Sequence, residues 1–305
     1  ILEGAEESFD ASIAAEYEPT PSSFDRTIEP AYGSTPTLAI PKVYREELSS
    51  GIKVLGIEDN EVPLVQLQLE IKGGMLLEST NKIGVSGMLA DLMNKGTATK
   101  TPAELEDAID QLGASINVRS SNQSISVSSS SLSRNYEEVM KLVNELLLEP
   151  RWDEVEFDLI KQQTLSQIQQ QKASSRAIAS NQFDKLVYGK DHILAQNNLG
   201  TAESVEKITI DDLKSYYNDY ITPQLTSFKV VGDITKEEVT SSLQTLNEKW
   251  AKKDVHIPEI APIQTPVSSK VYFYDVPNAK QSILSFGHPS IPSIHEDYYK
   301  VEVLN

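Results

Sequence analysis

Nine residues at 64–72 (LVQLQLEIK) alternate apolar and polar side chains with a period of two. That is the pattern of a strand with one face in a core and the other toward water. Residues 52–58 (IKVLGIE) alternate in the same way, and the intervening DNEVP reads as a turn, so the two strands are expected to form a hairpin. A second hairpin is expected from 115–120 and 123–132, where Ile125 and Val127 face one way and serines the other. Helices with clear starts stand between the strands. In Thr101-Pro102-Ala103-Glu104 the threonine caps free amides, proline takes the first turn, and glutamate reaches back to the cap. Gly113 then ends that helix. Further helices are expected at 84–94, 135–148, 153–172, 177–188, 209–220 and 235–250, with a short buried strand at 227–231. The glutamine-rich QQTLSQIQQQ keeps Leu165 and Ile168 at helical spacing, so it reads as the polar face of a buried helix. This order predicts an α+β fold, a mixed sheet covered by helices.

Composition shifts along the chain mark its divisions. Residues 1–40 hold eight acids against one base, Arg26, with prolines at 19, 21, 30 and 36, and read as an acidic linker or wrapping arm. Residues 41–251 form a first α/β subdomain, and 252–270, with Pro258, Pro262 and Pro266, a linker. The stretch VYFYDVPNAKQSILSF within 271–305 is laid out like VLGIEDNEVPLVQLQL. It is expected to supply the opening strands of a second, truncated copy whose helices would fall beyond Asn305. With no starting Met and no basic-then-apolar leader, the sequence reads as the middle of a longer polypeptide.

With 27 bases and 45 acids the net charge is −18, which argues against nucleic acid and against an anionic membrane surface. No apolar run is long enough to span a bilayer. The same charge predicts partners with basic patches. The absence of cysteine excludes disulfides, thiol nucleophiles and thiolate metal sites. The serine-rich SVSSSSLS has no His or Asp at a telling spacing. His288 and His295, beside Glu296 and Asp297, are read as surface residues rather than a metal cluster. Tyr216, Tyr217 and Tyr220 are read as packing.

The stretch LVQLQLEIKGGMLLESTNKIGVSGMLADLMNKGT resembles the start of the insulinase-like (pitrilysin, M16) metallopeptidases. Ile71-Lys72-Gly73-Gly74 and Glu78 match the family's turn, Gly84 its helix start, and Lys95-Gly96-Thr97 its helix exit. TPAELEDAIDQLGASI and the later GDIT are also similar, so the resemblance covers roughly 45–305. In the family this helix carries His-x-x-Glu-His. The two histidines, one turn apart, hold zinc, the glutamate is the general base, and a later helix adds a third, glutamate ligand. The matching positions here are Gly87, Ala90 and Asp91, with the third ligand falling near Gln167. Glycine and alanine offer no ligand atom, glutamine is a weak neutral one, and a lone Asp91 cannot hold zinc against water. The resemblance therefore implies the non-catalytic half of a two-half peptidase, with no catalytic, metal or cofactor residues. Its implied partners are a catalytic M16 half, fused upstream or separate, and a peptide or unfolded polypeptide, which in the family pairs as an added strand on a sheet edge. The bacterial double-length members imply a periplasmic location. The alternatives are a structural or assembly subunit of the same fold, and a hydrolase with an unrecognised site.

Overall fold

The computed structural model describes residues 24–304, apart from positions 26, 30, 32, 35, 36, 38, 261, 262, 264–267 and 278. The chain divides into two units, Ile1–Ile40 and Pro41–Asn305. The described residues of the first form no helix or strand; Asp25 Oδ1 accepts from the amide and hydroxyl of Thr27 in a local turn. Most of the acidic arm expected at 1–40 lies outside the described residues.

The second unit holds six strands: β1 Tyr44–Glu47, β2 Lys53–Glu58, β3 Leu64–Lys72, β4 Ser115–Ser120, β5 Ser124–Leu132 and β6 Thr226–Gly232. Its described helices are α1 Val85–Met93, α2 Pro102–Gln111, α3 Tyr136–Leu148, α4 Glu154–Ala173 and α5 Ser175–Tyr188, followed by α6 Ala202–Lys207, α7 Ile210–Tyr220, α8 Lys236–Ser242, α9 Gln244–Lys249 and α10 Tyr298–Leu304. The strands form one mixed sheet in the order β1-β2-β6-β3-β5-β4.

One expectation fails at the centre of that sheet. β2 and β3 are not a hairpin, because β6 inserts between them, parallel to β2 and antiparallel to β3. The inserted strand fits a central place, since Thr226, Phe228 and Val230 are all buried. β4 and β5 do pair antiparallel, with Val118 opposite Val127.

The alternation in each strand becomes a two-faced sheet. Val54, Phe228, Leu69, Val127 and Val118 lie in one cross-strand row, each at most 1% exposed, against the helical layer. Burial of each such side chain contributes about 1.5–3 kcal/mol. The next row, on the opposite face, reads Lys53, Ser227, Glu70, Ser126 and Arg119, and none of these is buried. That face is polar.

Among the helices, the capping box at Thr101 and Glu104 is present, and in α4 Phe157, Ile160, Thr164 and Ile168 face inward beneath the exposed glutamines. The helix expected over 235–250 breaks at Leu243 into α8 and α9. β1 and α6 were not legible beforehand; α6 is set by a capping box of Thr201 and Ser204. The strand–turn–strand expected within 271–286 does not form. Val271 and Phe286 are 98% and 95% exposed, and the described residues there join no ladder. A hairpin with no third strand or helix to bury its apolar face is marginal in water. Tyr216 and Tyr217 are structural, their hydroxyls donating to the carbonyls of Gly74 and Leu147 at 2.8 and 2.6 Å.

Candidate functional site

Gly87, Ala90, Asp91 and Asn94 follow one another at i, i+3, i+4 and i+7 and so share a stripe running along α1 to its C-cap. The remaining face of α1, with Val85, Met88, Leu89, Leu92 and Met93, is in the core. Gly87 is half-buried, Ala90 is 1% exposed and Asp91 is exposed. α4 runs antiparallel alongside. Lys95 at the end of α1 reaches Glu156 in the first turn of α4 at 3.9 Å. At the other end, Asn197 donates to Gln171 at 2.8 Å, while the adjacent Asn198 carbonyl would lie 3.8 Å from a Cβ on Gly87. Gln167 therefore lies on the stretch of α4 that flanks residues 87–91, and its own side chain is exposed. Among the described residues no hydrogen bond or ion pair joins Asp91 to Gln167. Partial desolvation raises the Asp91 carboxyl from its ordinary pKa, and Lys95 opposes the rise.

A zinc ion needs three or four N, O or S ligands. The residues at these four positions do not fit one, since they supply a single carboxylate and one neutral amide. Elsewhere, among the described residues, no group of three or more His, Asp or Glu side chains is placed to hold a metal. His288 Nδ1 lies 2.7 Å from the Pro289 carbonyl, and His295 Nδ1 is 4.0 Å from Asp297.

The stripe ends in a contact that sequence reading missed. Asn94 Nδ2 donates to the carbonyls of Ala90 and Val118 at 2.9 and 2.8 Å, and the Val118 amide donates to Asn94 Oδ1 at 2.8 Å. β4 is an edge strand, and in an antiparallel ladder alternate residues turn both backbone groups outward. Val118 is one of these, so the Asn94 amide fills the place of a neighbouring strand at the middle of β4. Of the sheet's two edges, β1 and β4, the β4 edge is closed to an added strand there. The signal was a single Asn after a helix, and its partner is 24 residues away.

Glu78 holds α1 in place. The helix N-cap is Gly84, which has no side chain to satisfy the first amides. The Glu78 carboxylate supplies what is missing, accepting from Gly84 N at 2.7 Å and Ser86 N at 2.6 Å. Ser120 of β4 in turn donates to the Ser86 hydroxyl at 2.8 Å. Glu78→Ala is expected to cost about 2–3 kcal/mol in urea unfolding, the sum expected for charge-assisted capping bonds; a loss within error would remove the capping role. Burial pushes the Glu78 pKa above the ordinary glutamate range, although Ser86 and the amides of Gly84 and Val85 pull it back. Between the unfolded and the raised folded pKa the folded chain keeps a proton that the unfolded chain has lost. Stability from this group therefore falls as pH rises through that window and is level above it. Glu78→Gln should abolish that slope.

With this geometry in view, comparison with known proteins is decisive. Residues 53–200 match the family described as Insulinase (Peptidase family M16), and 207–305 match Peptidase M16 inactive domain. The chain belongs to the M16 family. The M16 homologue of Helicobacter pylori named non-peptidase homolog YmxG is 24% identical over 268 residues, covering 86% of this chain and 60% of that protein. A peptidase M16 inactive domain from Pseudomonas fluorescens superposes with a TM-score of 0.67 at 25% identity, covering 74% of this chain and 54% of that one. The first half of the periplasmic protease PqqL from Escherichia coli gives a TM-score of 0.64 at 20% identity, covering 75% and 51%. This M16 chain thus spans little more than half the length of these relatives, and its mixed α/β architecture is the M16 fold. The two matched stretches meet inside a single sheet, because β6 of the second lies between β2 and β3 of the first.

Proposed function

We propose that this chain is a non-catalytic M16 half that encloses and positions peptide together with a catalytic half bearing an intact His-x-x-Glu-His helix. The observation that carries the reading is that α1 keeps its cap at Glu78, its buried face and its packing on α4, while Gly87, Ala90, Asp91 and Gln167 supply no zinc site. A helix so firmly capped and packed, without zinc-ligand atoms, is useful as a wall. The description of the second matched stretch as an inactive domain, and the non-peptidase name of the YmxG relative, support the same reading. PqqL is a periplasmic protease described by halves, which supports a paired catalytic half and a periplasmic location for this chain too. No helix among the described residues is long and apolar enough to cross a membrane.

The experiment is reconstitution. Adding this chain to the catalytic half from the same genome should raise its peptidase rate, and linking the two covalently should strengthen the effect through effective concentration. A catalytic half that is fully active alone, with no binding of this chain to it or to peptide, would overturn the reading and favour the structural-subunit alternative.

A further inference from the structure

The charge of this chain is unevenly placed. On the polar face of the sheet, strand alternation and register put five bases, Arg45, Lys53, Lys72, Arg119 and Lys229, against two acids, Glu47 and Glu70. A chain of net charge −18 therefore carries one face with a basic excess. Glu70 is already neutralised by Lys229 at 2.6 Å. Arg45, Lys53, Lys72 and Arg119 have no ion-pair partner among the described residues, and Arg119 is tied only to the Asn117 amide oxygen at 2.9 Å. Between them lie the hydrogen-bonding side chains of Gln66, Gln68, Ser126, Ser128 and Ser130, and the same face also carries the apolar Leu55, Ile57 and Val231.

The bases are spread rather than gathered. Lys53 and Arg119 occupy the same cross-strand row, four strand steps apart, which at about 4.8 Å per step is about 19 Å. That span suits carboxylates distributed along about six residues of extended chain. It does not suit a single phosphate, which needs its bases converging on one point. Main-chain pairing at the middle of the adjoining β4 edge is interrupted by Asn94 on Val118, and a segment lying across the face itself meets side chains rather than backbone groups.

We infer that the polar face of the sheet binds acidic, extended polypeptide, in preference to the basic partners that the overall charge predicts. This rests on the peptide-enclosing reading and gives it a substrate class. Binding through scattered exposed charges is screened by salt, whereas strand addition through backbone groups is largely blind to charge.

The test uses the full chain and three labelled peptides of equal length, Glu-rich, Gln-rich and Lys-rich, followed by fluorescence anisotropy at low and high salt. The Glu-rich peptide should bind about tenfold or more tighter than the Gln-rich one, with the gap collapsing near 1 M salt, where the Debye length is about 3 Å. Lys53→Glu with Arg119→Glu should reverse the order, and Asn94→Ala should leave the order intact. Should the double reversal unfold the chain, Lys53→Gln with Arg119→Gln should still erase the preference. Three peptides binding alike, or the Lys-rich one binding tightest, would overturn the charge assignment while leaving peptide enclosure standing. No peptide binding at all would bring down the enclosure reading itself. Phosphatidylserine vesicles binding as tightly as the Glu-rich peptide would overturn the assignment in favour of a general anion surface.

Discussion

A chain carrying Gly87→His, Ala90→Glu, Asp91→His and Gln167→Glu is expected to bind one equivalent of zinc where the parent binds none. The geometry favours it. A Cβ at Gly87 meets only the Asn198 carbonyl, at 3.8 Å, so a side chain there has room. Positions 87 and 91 are one turn apart on the same stripe, and α4 runs alongside with 167 between the Glu156 and Gln171 contacts. Submicromolar affinity corresponds to about 8 kcal/mol or more of binding free energy. At zinc one hundred times the dissociation constant, the folded state should gain about 2.7 kcal/mol. Without metal the variant should be less stable than the parent, because Ala90 is 1% exposed and a glutamate there must be desolvated. Metal analysis after dialysis against a mild chelator, with a melt in the presence and absence of zinc, reads both effects. A folded quadruple variant that holds no zinc would show that the assigned register along α1 or α4 is wrong.

The largest loss of stability is expected from Gly232→Ala. Gly232 ends β6 at φ 143°, and a Cβ there would stand 2.0 Å from the Leu64 carbonyl oxygen and 2.8 Å from Val65 Cα. Both atoms are backbone of β3, held in register with β6, so neither can yield without parting the centre of the sheet. Strained backbone and a forced displacement together should cost about 3 kcal/mol or more. Gly113 is the control. Its φ is also positive, at 57°, but nothing lies within 4 Å of a built Cβ. Gly113→Ala should cost about 1 kcal/mol, from conformation alone. Equal losses in urea unfolding would mean that close approach of β3 is not what requires glycine at 232.

Local physics made much of the fold legible. The alternation in Leu64–Lys72 and the cap at Thr101 act over a few residues, and both elements form where expected. What failed depended on distant partners. DNEVP reads as a hairpin turn because nothing local says that residues 226–232 will insert between the strands it joins. The alternation within 271–286 reads as strand because sequence does not show whether a sheet is there to receive it. The positions of Gly87, Ala90, Asp91 and Gln167 came from motif spacing, but the closure of β4 by Asn94 depends on an edge that exists only once the sheet is assembled. The basic face was hidden for the same reason, since register across six strands gathers Lys53, Lys72 and Arg119 from distant stretches of an acidic chain.

The late arrival of β6 also sets an order of events during synthesis. Val54 and Leu69 both have Phe228 as their native neighbour, so the slot between β2 and β3 lacks its native strand until β6 is made. At ribosomal rates of about 5–20 residues per second, that slot stays empty for roughly ten to thirty seconds after β3 is made. Throughout that interval two apolar strands present unpaired amides and carbonyls to any extended segment nearby. The segment best matched to the slot is 226–232 itself, whether from the same nascent chain or from a neighbour on the same message. Exchange of β6 between copies is thus the misassembly this topology invites, and crowded polysomes are where it would arise.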